Sequence, residues 1–286
     1  MVKQKAFTPY KVENIDEELN HFRDQLVVSG LGKNTIDTYI YGLKKFFIYS
    51  ECEVSPEKIL IYKSHLIETS APQTVNSRLN CINRYLMEKE IHYGVRFIKL
   101  EHEQYNDNII SMHDYLYLKQ HLKEDGNYYD YFLVWAFAST GARVSEMIKL
   151  KVENIYDGIF HIYGKGLKPR TIFLPVKFCE ECKEYLESIK KDSGFVFSQM
   201  RDTETPITRS YAEMRIRRLS YKYKIDSNVM HPHSFRHLFA KTFNERNPNL
   251  VLLKDIMGHT NIATTALYCK PTLNEMIEQY NAIVDW

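Results

Sequence analysis

Apolar side chains recur at three- and four-residue steps along most of this chain, a period that commits it to helices and confines sheet to a small part. Ile15, Leu19, Phe22 and Leu26 mark a helix from Ile15 to Val28, which Gly30-Leu-Gly32 closes. Ile36, Tyr39, Ile40, Leu43, Phe46 and Phe47 mark a second from Asn34, with Lys44 and Lys45 on its other side. Ser55-Pro56 is a capping residue followed by a first-turn proline, and it opens a third helix. Pro72 opens a fourth, carrying Val75, Leu79, Ile82, Tyr85 and Leu86. These stretches predict a helical N-terminal domain over residues 12–92. Residues 93–110 lack periodicity and read as a linker. With 286 residues two domains are expected, the second over 111–286. In it Ile159–Tyr163 and Thr171–Leu174 read as a β-hairpin among helices at about 177–190, 208–223, 234–245, 249–257 and 261–269. The expected class is mainly α with a small β-hairpin, so that the second domain is α+β.

A formal net charge of +2 does not announce a polyanion-binding protein, but the distribution is uneven. From Thr208 to Arg246 there are nine basic residues against three acidic ones, whereas Pro271–Trp286 has three acidic residues and no Lys or Arg. The basic segment suits a polyanion. Lys44, Lys45, Arg209, Arg215, Arg217 and Lys241 are the candidates for substrate contact. Five cysteines at irregular spacing are expected to be reduced thiols in a cytoplasmic protein. Cys179-Glu-Glu-Cys182 lies in a helical stretch with no second pair, so no metal site is assigned to it. No signal peptide or membrane span is expected.

The chemistry-bearing residues form a series: Arg143 and Glu146 in Thr140-Gly-Ala-Arg-Val-Ser-Glu, then His233-Ser-Phe-Arg236, Met257-Gly258-His259 and Tyr268. Arginine keeps its charge and presents a planar fork, so two of them can grip both non-bridging oxygens of a phosphodiester. They would stabilise a pentacovalent transition state. Tyrosine, with an ordinary pKa of about 10, becomes a nucleophile only beside a cation or base. Attack by Tyr268 on phosphorus would leave an ester that retains the bond energy, so DNA could be broken and resealed without ATP. Among the chain's 21 tyrosines, position singles out Tyr268, nine residues past His259. Tyr280 instead falls on the apolar stripe of a C-terminal amphipathic helix with Leu273, Met276, Ile277, Ile283 and Val284.

In this order the motifs resemble the tyrosine recombinases, the phage-integrase and Xer-type site-specific recombinases, over nearly the whole chain. The resemblance implies a helical core-binding domain followed by a catalytic domain. It implies that Arg143 and Arg236 grip the scissile phosphate and that His259 adds a hydrogen bond to it. Lys165, in the Gly164-Lys-Gly166 turn, would protonate the leaving 5′-oxygen, and His233 would accept a proton from Tyr268. Glu146 would orient a catalytic partner, and His237 is read as a packing residue. No cofactor is implied, because the arginines supply the charge. The implied partner is double-stranded DNA with a specific recombination site. A homo-oligomer, a tetramer in synapsis, would form through the C-terminal tail, and a second recombinase or accessory protein stays open. A type IB topoisomerase-like nicking-closing enzyme and an inactive DNA-binding regulator of the same fold are the alternatives.

Overall fold

The structure, a computed structural model, describes residues 7–100, 108–163, 169–199 and 202–284. The chain divides into two units, Met1–His102 and Glu103–Trp286. The first contains β1 (Tyr10–Lys11), α1 (Ile15–Val28), α2 (Lys33–Tyr49), β2 (Glu53–Val54), α3 (Pro56–Thr69) and α4 (Pro72–Glu88). Asn14 caps α1 by accepting from the Asp16 and Glu17 amides, and Ser55 caps α3 by accepting from Lys58. The periodic residues converge as expected, with Phe22, Leu26, Leu43, Phe46, Phe47, Leu79, Ile82 and Tyr85 fully buried. β1 and β2, which apolar alternation does not mark, pair antiparallel.

Part of the stretch expected as linker belongs to this unit. Asn83 exchanges two hydrogen bonds with the main chain of Val95, at 2.8 and 3.0 Å. Asn76 does the same with Ile98, both at 2.9 Å. Each amide substitutes for a β partner, so this segment is held without periodicity of its own. Val95 is buried with the helical core.

The second unit runs α5 (Met112–Glu124), α6 (Tyr128–Thr140), α7 (Val144–Met147), α8 (Val152–Asp157), β3 (Ile159–Tyr163), β4 (Pro169–Phe173) and α9 (Val176–Ser188). It continues with β5 (Ser198–Gln199), β6 (Asp202–Pro206), α10 (Arg209–Tyr223), α11 (Pro232–Arg246), α12 (Leu250–Met257), α13 (Ile262–Tyr268) and α14 (Leu273–Ile283). The fold is mainly α, with antiparallel two-stranded sheets β3–β4 and β5–β6 in this unit. The core surrounds α6, whose Phe132, Trp135 and Phe137 are buried; Phe132 and Trp135 pack edge-on against Phe178 of α9. Cys179 and Cys182 are buried on α9, and burial pushes the Cys182 thiol up to about 12. Among the described residues no cluster of three or more His, Cys, Asp or Glu could hold a metal ion.

Gly141 ends α6 with φ +61°, and a Cβ there would overlap the Phe239 ring. Its carbonyl accepts from Arg236, so both the turn and the close approach serve one buried side chain. Gly141→Ala is expected to destabilise this unit by about 2–4 kcal/mol, combining the left-handed backbone with the overlap. Urea unfolding followed by tryptophan fluorescence, to which buried Trp135 contributes, measures it; a loss below about 1 kcal/mol would remove both requirements.

Candidate active site

α11 opens with His231, whose Nδ1 accepts from the Ser234 amide at 3.1 Å, followed by Pro232 in the first turn. That cap accounts for His231. Positions three and four apart share a helix face, which brings His233, Arg236 and His237 to one side. Arg236 is 1% exposed. Its Nη1 donates to the Gly141 carbonyl, and its Nη2 to the Met257 carbonyl and His259 Nε2, at 2.9 and 2.7 Å. Among the described residues no carboxylate is in ion-pair contact with it, and its buried Nε has no hydrogen-bond partner. Burial first, and Arg143 second, hold the guanidinium down to about 10.

Arg143 caps α7, 45% exposed at its side chain. Its amide and its Nη1 donate to the two Glu146 carboxylate oxygens, at 2.8 and 2.9 Å, and Nη2 reaches the Gly258 carbonyl at 3.4 Å. Glu146 also accepts from Arg170 Nη1. Burial would raise the Glu146 carboxyl, but the Arg143 amide, Arg170 and the Arg143 guanidinium outweigh it and hold it below the usual carboxylate range. Arg170 is mostly buried and donates Nη2 to the Ile256 carbonyl at 2.7 Å.

Three consecutive carbonyls at the end of α12, Ile256, Met257 and Gly258, therefore each accept from a different arginine. Gly258 makes this possible: it closes α12 at φ +64°, and a Cβ there would collide with Arg170. His259 follows the turn, 6% exposed. Because Arg236 donates to its Nε2, the proton resides on Nδ1, which donates to Thr265 Oγ1 at 2.9 Å. Burial first, then Arg236, lower its pKa to about 4, so the ring is neutral. As placed, His259 supports Arg236 and has no free Nε2–H for a phosphate.

Asn261 caps α13 through the Ala263 amide, and Tyr268 is the last residue of that helix. The Tyr268 hydroxyl lies 3.0 Å from His233 Nε2. Burial first and Arg236 second keep His233 below the ordinary imidazole value, so near neutrality it can accept the phenolic hydrogen. The Arg236 guanidinium carbon is 5.6 Å from the Tyr268 ring centre.

Arg143, Glu146, His233, Arg236, His259 and Tyr268 are thus brought together. Lys165 and Lys168 lie outside the described residues. Of the proposed substrate-contact residues, Lys44 and Lys45 are in the first unit; Lys44 approaches Asp16 at 3.9 Å and Lys45 lies over the Tyr41 ring. In the second unit Arg209 is exposed and pairs with Glu213, and Arg217 is exposed. Two others are committed within the protein: Arg215 to buried Asp130 at 2.7 Å, and Lys241 to Glu275 of α14. The sequence reading missed Arg170. The hairpin's second strand begins at Pro169 rather than Thr171, and alternation then puts Arg170 on the buried face with Ile172 and Leu174.

The model of the phage integrase family matches residues 106–275. The tyrosine recombinase XerA of Pyrococcus horikoshii is 26% identical over 272 residues, covering 93% of this chain and 94% of that protein. XerD of Staphylococcus aureus is 26% identical over 294 residues, covering 94% and 98%. XerH recombinase bound to palindromic difH substrate superposes with a TM-score of 0.73 at 16% identity, over 94% of this chain and 85% of that one. A lambda integrase tetramer on a Holliday junction gives 0.70 at 14%, over 90% and 77%. These structural likenesses establish the fold, and the family match establishes the kinship: the chain belongs to the phage integrase family and is an Xer-like tyrosine recombinase.

Proposed function

We propose that the protein recombines DNA at a specific site by forming a covalent 3′-phosphotyrosyl intermediate on Tyr268. The observation that carries this reading is the Tyr268 hydroxyl 3.0 Å from His233 Nε2, beside a buried Arg236 in ion-pair contact with no carboxylate among the described residues. Arg143 and Arg170 share the Glu146 carboxylate, and Arg236 beside them has no ion-pair partner among the described residues. Such a site has an unmet need for anionic charge, which a phosphodiester satisfies.

In the proposed reaction the Tyr268 oxygen attacks phosphorus as its proton passes to His233. The bond from phosphorus to the 5′-oxygen breaks, and Lys165 protonates that oxygen. Arg143 and Arg236 hold the non-bridging oxygens, with Glu146 fixing Arg143 and His259 fixing Arg236. The reverse attack by a 5′-hydroxyl reseals a strand. The relatives act as recombinases by name, and XerH and lambda integrase have been seen on DNA. The proposed DNA contacts are Lys44 and Lys45 on the first unit and Arg209 and Arg217 on the second. α14 is proposed to dock on a neighbouring subunit: none of its residues is buried, and Ile277, Tyr280 and Ile283 are exposed.

Two outcomes follow. Tyr268→Phe removes the nucleophile while keeping the ring. Incubation with a pool of randomised nicked duplexes should give a denaturant-resistant adduct with the wild type and none with Tyr268→Phe, with DNA affinity retained; an adduct on the variant rejects the assignment. For pH, kcat/KM reports groups of the free enzyme. His233 must be neutral to accept the proton, and its pKa lies below 6.5. The acid limb of kcat/KM for cleavage should therefore fall below pH 6.5 and disappear in His233→Gln; a limb above that pH would contradict the His233 role.

A further inference from the structure

His237 has no part in the chemistry above, yet it makes the closest ring contact to Tyr268. The two ring centroids are 4.0 Å apart with planes inclined by 17°, against 5.2 Å and 66° for His233 and Tyr268. His237 also forms a hydrogen bond to the Tyr268 main chain. It meets the His233 ring edge-on at 4.9 Å. One imidazole thus touches both the acceptor of the phenolic hydrogen and the face of the phenol.

The mechanical need for such a contact is visible in α13. Thr265 is the only fully buried residue of this seven-residue helix, and Tyr268 is only partly buried against Ala240, Leu253 and Met257, so burial alone fixes the direction of its side chain only in part. A phenol turns about two side-chain torsions, and a rotation that swings the hydroxyl off line costs rate steeply even where affinity is unaffected. A flat ring against one face opposes rotation about both torsions, while the hydrogen bond steadies the backbone from which the side chain starts. Burial first and His233 second bring the His237 pKa down to about 3. The stacked partner is therefore a neutral ring throughout the working range, which adds no charge beside the nucleophile.

We infer that His237 is a positioning residue for the nucleophile: stacked on Tyr268 and hydrogen-bonded to its main chain, it holds the hydroxyl in line for attack while His233 accepts the proton. This rests on Tyr268 being the nucleophile as proposed above. The probe is a nicked duplex carrying the sequence that the wild-type protein selects from the randomised pool by covalent trapping. With this duplex saturating, His237→Ala should slow single-turnover cleavage about 100-fold, with the duplex Kd within about threefold of wild type. His237→Phe keeps a flat ring at the same place and should recover most of that loss. An Ala variant that cleaves at the wild-type rate overturns the inference. So does a Phe variant as slow as the Ala variant, or a loss of DNA affinity and rate in step. Failure here is separable from failure of the wider reading, because an adduct on Tyr268→Phe rejects the nucleophile whatever His237 variants do.

Discussion

A buried guanidinium, Arg236, with no carboxylate in ion-pair contact among the described residues, governs the architecture of the second unit. Moving an unpaired charge out of water costs several kcal/mol even after relaxation, so Arg236 has to be compensated by dipoles. The compensation comes from two helix C-termini, where unsatisfied carbonyls concentrate negative partial charge. Gly141 at the end of α6 and Met257 at the end of α12 both accept from Arg236. Both helices close in the left-handed conformation on glycine. The solvation of one arginine thus dictates where two helices stop.

The end of α12 does more than solvate Arg236. Its successive carbonyls take Arg170 from β4, Arg236 from α11 and Arg143 from the α6–α7 turn, segments far apart in sequence that can meet only once the unit has folded. Glu146 closes the arrangement by joining Arg143 to Arg170. The cations are therefore oriented before any phosphate arrives, which is the condition under which fixed charges and dipoles lower a barrier most. A carboxylate added opposite Arg236 would relieve the excess charge and also occupy the place proposed for the phosphate. The unbalanced charge is a property of the site, and its cost is met by folding.

Legibility in the sequence followed from how local each feature is. The bounds of α1 were readable because Ile15, Leu19, Phe22 and Leu26 carry the period, and the start of α3 because Ser55-Pro56 acts on its own next turn. The β5–β6 hairpin was not: β6 is exposed almost throughout, so no apolar alternation marks it. Residues 95–98 were read as linker because what holds them is a pair of asparagines on α4. Within the site, Arg143, His233, Arg236, His259 and Tyr268 could be picked out by residue type and order, but their division of labour could not. That His259 faces Arg236, that Arg215 belongs to Asp130, and that Arg170 stands under Gly258 are consequences of tertiary contact.

The site also divides into a rigid part and a less rigid one. Arg236 and Met257 are fully enclosed, and α6 beside them carries buried side chains on all sides. Tyr268 instead belongs to a short helix with Thr265 alone buried, followed by α14, which buries nothing and is tied back through Lys241 and Glu275. Elements with so little buried surface open at lower free energy than the core. The arginine side of the proposed site is thus fixed by the fold, whereas Tyr268, the proposed nucleophile, is placed by a few side-chain contacts, chiefly with α11. Charge that must be preorganised sits in the rigid part. The proposed nucleophile, which would have to reach phosphorus and withdraw on resealing, sits on the part that can move at small cost.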